Sequence, residues 1–316
     1  MSSNQPKKVY RYQLFSDLSV DALCHDQLYF ANPTSFNDPL DCQPSVESDS
    51  NKAKLRLILA EQIKRRVEAE TLSSLEGAKV TGDNAILHAK KVAEQAARNE
   101  LAHIEYNATN PDYDNVEKAE CWMLSFEIQS ELLKQYDRGV CCFASTVDNP
   151  LLWSHYGDQH RGFCVGYNLD RKPKPELHKI VYGGTRTVHT SLIAKALLER
   201  DVISQKILDR DILLRKASPW RYEREWRLFG NRGLQDSPLA LKDITFGLRC
   251  PTAVRHAIIT ALQSRPDEMD FYETYQVRGS FRLKKRPVDT GELNAYLPHT
   301  ARSGVEIFAQ KTMNKP

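Results

Sequence analysis

The chain has 316 residues, of which 27% are charged and 41% hydrophobic, and its formal net charge is +3 at pH 7. This is the composition of a folded globular protein, and it excludes a disordered or fibrous chain. The small positive excess is too weak to predict a nucleic-acid partner. There is no run of about 18 apolar residues, and the segment Met1–Lys8 is polar, so we predict no membrane partner and a cytoplasmic location.

The N-terminal segment alternates in a way that is typical of a half-buried strand. Tyr10 and Tyr12 fall on one face of Val9–Phe15, with Arg11 on the other. A helix is predicted over Ser16–Cys24, since Ser16 can cap it. The Asn, Asp and Pro residues of Asn32–Pro39 then predict an irregular loop.

Residues 45–137 differ in pattern from the rest of the chain. Leu55, Leu59, Ile63 and Val67 recur every four residues among charged side chains, which indicates an amphipathic helix. Two further helices are predicted before residue 137. We therefore divide the chain into an α+β domain, 1–44 and 138–316, and a helical insertion or cap, 45–137.

Strand patterns return after the insertion. Short apolar runs predict strands at Gly139–Ala144 and Gly162–Tyr167, and further strand and helix patterns follow, including a long helix over 190–216 and a strand over Trp220–Phe229. Strands outnumber crossover helices outside 45–137. The predicted fold is therefore α+β, with a mixed, mainly antiparallel sheet.

The predicted strand over Trp220–Phe229 carries a pair of glutamates. As strand residues, Glu223, Glu225 and Arg227 would share one face. Two carboxylates roughly 7 Å apart can serve as a general base and a cation stabiliser, or can bind a metal. The alternative interpretation is the solvated face of an edge strand.

Two other segments concentrate polar side chains. The first is Trp153–Tyr156 with His160. Its two histidines, His155 and His160, are five residues apart, and this spacing disfavours a helical metal site. The alternative interpretation is structural, with Trp153 in the core. The loop Phe36–Asp41 either braces itself through Asx-turns or holds a ligand. A basic run near the C-terminus either meets phosphate groups or forms a solvated surface: Arg278, Arg282, Lys284, Lys285 and Arg286.

Several common site types are excluded. The sequence has no phosphate loop, dinucleotide fingerprint, zinc-protease motif or nucleophile elbow. Its 7 cysteines include no C-x-x-C pair, so neither a disulfide framework nor a zinc knuckle is predicted.

Taken together, three groups of segments resemble a bacterial family known as domain of unknown function 2971. They are Tyr10–Tyr12 with Phe36–Pro39, then Cys142–Ser145 with Trp153–Tyr156 and His160–Phe163, and finally Tyr222–Arg227.

The chain is also distantly similar to the ADP-ribosyltransferases. Those enzymes carry an Arg or His on a first strand, a Ser or Tyr on a second, and a Glu, often in an E-x-E pair, on a later one. The resemblance implies Arg11 for the first element, Ser145 or Tyr156 for the second, and Glu223 with Glu225 for the third. It also implies an ADP-ribosyltransferase-like fold with NAD as the substrate.

This resemblance assigns roles that fit the residue types. Cleavage of the nicotinamide–ribose bond passes through an oxocarbenium-like species, which a carboxylate stabilises. Glu225 takes that role, Glu223 orients or deprotonates the acceptor, and Arg11 binds the phosphates. Tyr156 or Trp153 would stack on nicotinamide, and Asn37 or Asp38 would hold a ribose hydroxyl. The full predicted set of NAD-binding residues is Arg11, Tyr12, Asn37, Asp38, Ser145, Trp153, His155, Tyr156 and Arg227.

The leading prediction is an NAD-dependent ADP-ribosyltransferase or NAD glycohydrolase without a resident metal. The acceptor is left open among a protein, a nucleic acid, a small molecule and water, and a role as a toxin or phage-defence effector is compatible with the resemblance. One alternative is a metal-dependent nuclease or phosphodiesterase in which Asp38, Asp41, Glu223 and Glu225 bind Mg²⁺. The absence of a lysine near E-x-E-W-R argues against it. The other alternative is a non-catalytic nucleotide- or nucleic-acid-sensing module.

Overall fold

In the computed structural model the described residues are 5–136, 138–301, 303 and 305. They form two compact units, each built from separate stretches of chain. The first unit comprises Met1–Tyr29, Cys142–Glu176 and Leu234–Pro316, and the second comprises Phe30–Cys141 and Leu177–Gly233. The predicted domain boundary at residue 137 lies outside the described residues.

The strands, in chain order, are β1 (Lys8–Gln13), β2 (Gln27–Phe30), β3 (Ser45–Glu47), β4 (Gly139–Ala144), β5 (Phe163–Asn168), β6 (His178–Lys179), β7 (Val181–Tyr182), β8 (Thr187–His189), β9 (Arg215–Lys216), β10 (Glu225–Gly230), β11 (Gly233–Asp236), β12 (Ala240–Phe246), β13 (Asp270–Gln276) and β14 (Leu283–Pro287). The helices are α1 (Asp17–Cys24), α2 (Lys52–Gly77), α3 (Asp83–Asn107), α4 (Val116–Gln135), α5 (Pro150–His155), α6 (Thr190–Leu197), α7 (Val202–Leu213), α8 (Thr252–Leu262) and α9 (Thr290–Tyr296).

The first unit is built on a sheet. Its strands run in the order β14–β13–β12–β5–β1–β4. All neighbours whose register is defined are antiparallel except β12 and β13, which are parallel. The predicted α+β class with a mainly antiparallel sheet is therefore confirmed.

One face of this sheet carries Tyr10 and Tyr12, as the alternation of β1 predicts. In the register of β1 on β5, Tyr10 lies opposite Gly166 and Tyr12 opposite Cys164. Both tyrosines pack on a small core cluster with Val147, Trp153, Cys164 and Leu283.

Gly166 has a specific steric role on that face. A β-carbon added there would lie 2.7 Å from the carboxylate oxygens of Asp243, a contact that requires rearrangement. We predict that Gly166→Ala lowers the free energy of unfolding by about 1–3 kcal/mol, the usual cost of overpacking. Urea unfolding measures this effect. Gly77→Ala, at a glycine whose added β-carbon would meet nothing within 4 Å, is the control and should not destabilise the protein. Equal effects of the two substitutions would refute the steric role.

The second unit is mainly helical. Helices α2, α3 and α4 confirm the three helices predicted before residue 137, and their buried side chains share one core with those of α6 and α7. That core joins Leu55, Leu59 and Leu124 to Ile193 and Leu208. The helices predicted as a separate insertion thus lie in one unit with residues 177–233.

The long helix predicted over 190–216 is interrupted, and this part of the prediction is wrong. Helix α6 ends at Leu197, Arg200 has a φ of 54°, and α7 begins at Val202. The Asp201 side chain accepts hydrogen bonds from the backbone N–H groups of Ile203 and Ser204, which caps α7. None of the helices in the described part of the chain is both long and apolar enough to cross a membrane.

Candidate functional site

The E-x-E pair lies where a short helix turns into a strand. A 3-10 helix covers Ser218–Glu223, with Pro219 in its first turn, and Arg224 then takes a left-handed conformation at φ 47°. Strand β10 begins only at Glu225. The prediction of a strand over Trp220–Phe229 is therefore wrong for its first half. The fixed φ of Pro219 favours the first turn of a helix there instead. Glu225 and Arg227 do lie on one strand face, but Glu223 does not belong to the strand.

Lys216 nevertheless brings the two glutamates together. Its Nζ lies 2.6 Å from Glu223 Oε2 and 2.8 Å from Glu225 Oε2. Asp41 Oδ2 is a third carboxylate oxygen, 3.5 Å from the same nitrogen. The predicted proximity of the carboxylates thus arises from a shared lysine, seven residues upstream of Glu223, rather than from strand alternation.

Arg227 contacts two of these three carboxylates, Glu225 and Asp41. Its Nε donates to Glu225 Oε1 at 2.6 Å, and its Nη2 donates to Asp41 Oδ2 at 2.6 Å. Nη1 donates to the Leu213 carbonyl oxygen at 2.7 Å and contacts Cys42 Sγ at 3.0 Å. The planar guanidinium therefore reaches four acceptors at once, which a single ammonium group cannot match.

We call these five residues, Asp41, Lys216, Glu223, Glu225 and Arg227, the ionic cluster. All are buried: Glu225 is 3% exposed and Arg227 is 0% exposed. The alternative interpretation of a solvated edge strand is therefore wrong. Three carboxylates against two cations give the cluster a formal charge of −1, and removing charges from water costs free energy unless they are paired this closely.

The electrostatics of the cluster keep Glu225 ionised. Burial raises the pKa of Glu225, but the positive charges of Arg227 and Lys216 outweigh that effect and hold the pKa below its usual range. Burial likewise acts to lower the pKa of Lys216, whereas Glu225, Glu223 and Asp41 raise it above the value of a free lysine. Lys216 and Glu225 therefore carry full charges at neutral pH.

In the Phe36–Asp41 loop, Asp38 stabilises the loop itself, whereas Asp41 belongs to the ionic cluster. Asp38 Oδ1 accepts a hydrogen bond from the Leu40 backbone N–H at 2.9 Å, an Asx-turn, as the bracing interpretation predicts. Asn37 is exposed. Only Asp41 of this loop joins the ionic cluster. Among the described residues no group of His, Cys, Asp and Glu side chains is arranged to hold a metal ion.

Two of the side chains considered in the first unit, Tyr12 and His160, contact the ring of Trp153. That ring is fully buried, and its Nε1 donates to the Val147 carbonyl oxygen at 2.8 Å. The Tyr12 ring meets it edge-on at 5.0 Å, and the His160 ring stacks on it at 6.2 Å. Trp153 is thus a core residue, which confirms the alternative interpretation of this segment.

A strained turn positions His160. Asp158, Gln159 and His160 all have positive φ, between 48° and 70°, an uncommon conformation for residues with side chains. Burial first, and the charge of Arg249 second, lower the pKa of His160, so that its imidazole is neutral at pH 7. Ser154 Oγ lies 3.4 Å from His160 Nε2.

The remaining predicted residues lie elsewhere in the first unit. Arg11 donates from Nη2 to the Tyr29 carbonyl oxygen at 3.1 Å. His155 is exposed, with the Tyr156 ring 6.2 Å from its own, and Ser145 follows the last residue of β4. Arg11, Tyr12, Ser145, Trp153, His155 and Tyr156 thus belong to the first unit, whereas Asn37, Asp38, Glu223, Glu225 and Arg227 belong to the second.

Comparison with known proteins finds a family model that matches part of the chain and that describes no activity. Residues 152–228 match a family described as Protein of unknown function (DUF2971), which confirms the predicted resemblance to that family. The matched range contains Trp153–Tyr156, His160–Phe163 and Tyr222–Arg227. Neither the curated proteins nor the solved structures contain a match to the chain.

Proposed function

We propose that this protein is an NAD-dependent ADP-ribosyltransferase or NAD glycohydrolase, with an ADP-ribosyltransferase-like fold, and that Glu225 is its catalytic carboxylate. The observation that carries the proposal is the pairing of Glu225 with both Arg227 and Lys216. These contacts hold one carboxylate ionised and fixed at the first residue of a strand. A preorganised negative charge stabilises an oxocarbenium-like transition state without further reorganisation.

The position of Glu225 is fixed by backbone contacts as well as by charges. Its N–H donates to the Tyr182 hydroxyl oxygen at 2.7 Å, and the left-handed Arg224 precedes it. Glu223 contacts the same lysine, Lys216, and in this proposal it orients the acceptor group. Rigid support of this kind is what a catalytic carboxylate requires.

A metal-dependent nuclease has less support than the NAD reaction. The absence of a lysine near E-x-E-W-R was one argument against a nuclease. Lys216 removes that argument, because it lies beside Glu223 and Glu225 in the folded protein. However, Lys216 and Arg227 contact oxygens of all three carboxylates of the ionic cluster, and Asp38 stands apart from them. Two resident cations take the place that a divalent cation would need.

Burial sets a condition on the proposed reaction. Because Glu225 is 3% exposed, ribose can contact its carboxylate only if part of the surrounding structure moves aside. We propose that this part is Ser218–Arg224, the segment that directly precedes Glu225. NAD binding should therefore increase amide hydrogen exchange in that segment, relative to the protein alone.

Glu225→Gln should abolish nicotinamide release from NAD, because the amide keeps the shape of the side chain and removes its charge. The purified protein is incubated with NAD, with and without cell lysate, and free nicotinamide is followed by chromatography. A loss of at least roughly 100-fold is expected, the scale of one removed electrostatic stabiliser. Release that depends on lysate would indicate a macromolecular acceptor.

The matched control is Glu76→Gln, which removes an exposed carboxylate at the end of α2 and should leave the rate unchanged. Circular dichroism must show that Glu225→Gln is folded, and Glu223→Gln replaces it if it is not. Absence of nicotinamide release by the wild type, with lysate present, would contradict the proposal. EDTA should not affect the reaction.

The proposal extends to where the protein acts. A cytoplasmic location is supported by the cysteines that form no disulfide, which is usual in a reducing compartment: Cys24, Cys42, Cys121, Cys164 and Cys250. A role as a toxin or phage-defence effector would follow if NAD depletion or modification of a host target arrests growth. Expression of the wild type beside Glu225→Gln in bacteria tests that role.

A further inference from the structure

A groove of about 370 Å³ opens on the tyrosine-bearing sheet face of the first unit. Its lining includes Tyr10 on β1, Ser145 and Thr146 after β4, and Leu283 and Lys285 on β14. This volume lies within the roughly 300–1,000 Å³ range of small-molecule sites. The groove combines the Tyr10 ring, the hydroxyl groups of Ser145 and Thr146, two lysines (Lys284 and Lys285) and the carboxylate of Asp148, and it lies entirely within one unit.

The buried carboxylate of Asp243 lies close to Lys285 and to a second lysine, Lys8. Asp243 is 0% exposed and forms an ion pair with Lys8, while Lys285 Nζ lies 3.6 Å from Asp243 Oδ1. Within the described part of the chain, Asp243 Oδ1 accepts no hydrogen bond. Gly166 leaves the space that this carboxylate occupies.

Aromatic rings contact both of these lysines, of which Lys285 lines the groove. Lys285 Nζ lies 3.7 Å from the centroid of the Tyr272 ring, and Lys8 Nζ lies 5.7 Å from that of Tyr10. These cation–π contacts fix the ammonium groups without neutralising them.

The surroundings of these two lysines lower the pKa of each. Burial and the proximity of Lys285 lower the pKa of Lys8, against the opposing effect of Asp270. Burial also lowers the pKa of Lys285. An added anionic group would oppose both effects, because it favours the protonated lysines.

We propose that this groove binds a phosphate-bearing small molecule of nucleotide size, with Lys285 as the principal phosphate contact. The ammonium group of Lys285 supplies the charge, and the hydroxyl groups of Ser145 and Thr146 supply hydrogen-bond donors at the opposite wall. The Tyr10 ring and Leu283 offer an apolar surface for the body of the ligand. The inference does not rest on the proposed NAD reaction, because it involves none of the five residues of the ionic cluster and because its readout is different.

Isothermal titration calorimetry with AMP, inorganic phosphate and adenosine tests the proposal. AMP should bind saturably, and adenosine at least roughly tenfold more weakly, since it lacks the charged group. Lys285→Met should weaken AMP binding by roughly tenfold or more, the effect of one lost charge-assisted hydrogen bond. Lys285→Arg should retain binding because it keeps the charge.

Two further variants separate a binding role from a structural one. Asp148→Asn removes a carboxylate from the groove lining and should tighten AMP binding, which loss of folding cannot do. Lys174→Met, at an exposed lysine of the same unit, should bind AMP as the wild type does. The proposal is overturned if AMP and phosphate show no saturable binding at millimolar concentration, if adenosine binds as well as AMP, or if Lys285→Met binds like the wild type.

Discussion

Lys216→Met should lower the free energy of unfolding by about 3–5 kcal/mol at pH 7, the usual cost of removing one partner from a buried ion pair. Methionine keeps most of the length of the side chain but leaves Glu223 without its contact at 2.6 Å and Glu225 without its contact at 2.8 Å. The three buried carboxylates of the ionic cluster then retain one of its two cations, Arg227. Urea unfolding at pH 7, monitored by circular dichroism, measures the loss.

The pH dependence of this loss gives a second readout. Glu225 has a lowered pKa in the folded protein, so the stability it contributes is complete above its unfolded pKa of about 4.5 and is lost as the pH falls towards the folded value. The difference between wild type and Lys216→Met should therefore narrow below about pH 4.5. Lys206→Met, at an exposed lysine of α7, is the control and should change stability by less than about 0.5 kcal/mol. A loss below about 1 kcal/mol for Lys216→Met would show that the lysine does not compensate these carboxylates.

Replacement of Arg227 by lysine separates the shape of the guanidinium group from its charge. We expect Arg227→Lys to lower the free energy of unfolding by about 2–4 kcal/mol, although it conserves the charge. The native guanidinium reaches Glu225, Asp41, the Leu213 carbonyl oxygen and Cys42 Sγ simultaneously. A lysine can hold only part of this set, and the acceptors left behind remain buried.

Arg227→Met completes the comparison. It should cost more than Arg227→Lys, because it also leaves the carboxylates of Asp41 and Glu225 without this cation. Arg221→Lys, an exposed position in the adjacent 3-10 helix, should leave stability within about 0.5 kcal/mol of the wild type. Stability of Arg227→Lys within about 1 kcal/mol of the wild type would mean that charge alone is sufficient at this position.

Local periodicity was enough to predict most regular elements. The alternation in Val9–Phe15 matches β1, and the capping pattern at Ser16 matches α1, whose capping box is present. The four-residue repeat from Leu55 matches α2. These signals depend on neighbours in sequence, which is why they can be read without knowledge of the fold.

Element boundaries that depend on one non-glycine residue with a positive φ were not predicted. The break between α6 and α7 depends on Arg200 at positive φ, and the start of β10 depends on Arg224 at positive φ. Arginine is not a residue type that indicates a left-handed turn, in contrast to Gly or Asn. The short strands β6, β7 and β9 consist of two residues each, too few to show a period.

The candidate site was predicted in part. The E-x-E pair and Arg227 were selected because a repeated charge pattern on a strand is visible in the sequence. Lys216 was missed because it is one basic residue among 44 Lys and Arg, and only the structure places it between carboxylates. Asp41 was considered as a metal ligand and as part of a loop that braces itself or holds a ligand, whereas its partners are Lys216 and Arg227.

The interleaving of the two units has a consequence for synthesis on the ribosome. Strand β1 pairs with β4 and β5, and roughly 130 residues separate the end of β1 from the end of β4. At ~5–20 residues per second, the nascent chain carries β1 for on the order of ten seconds before its first sheet partner has been made. Its exposed backbone edge would be open to other chains during that interval, so a chaperone that shields N-terminal segments should raise the yield of folded protein.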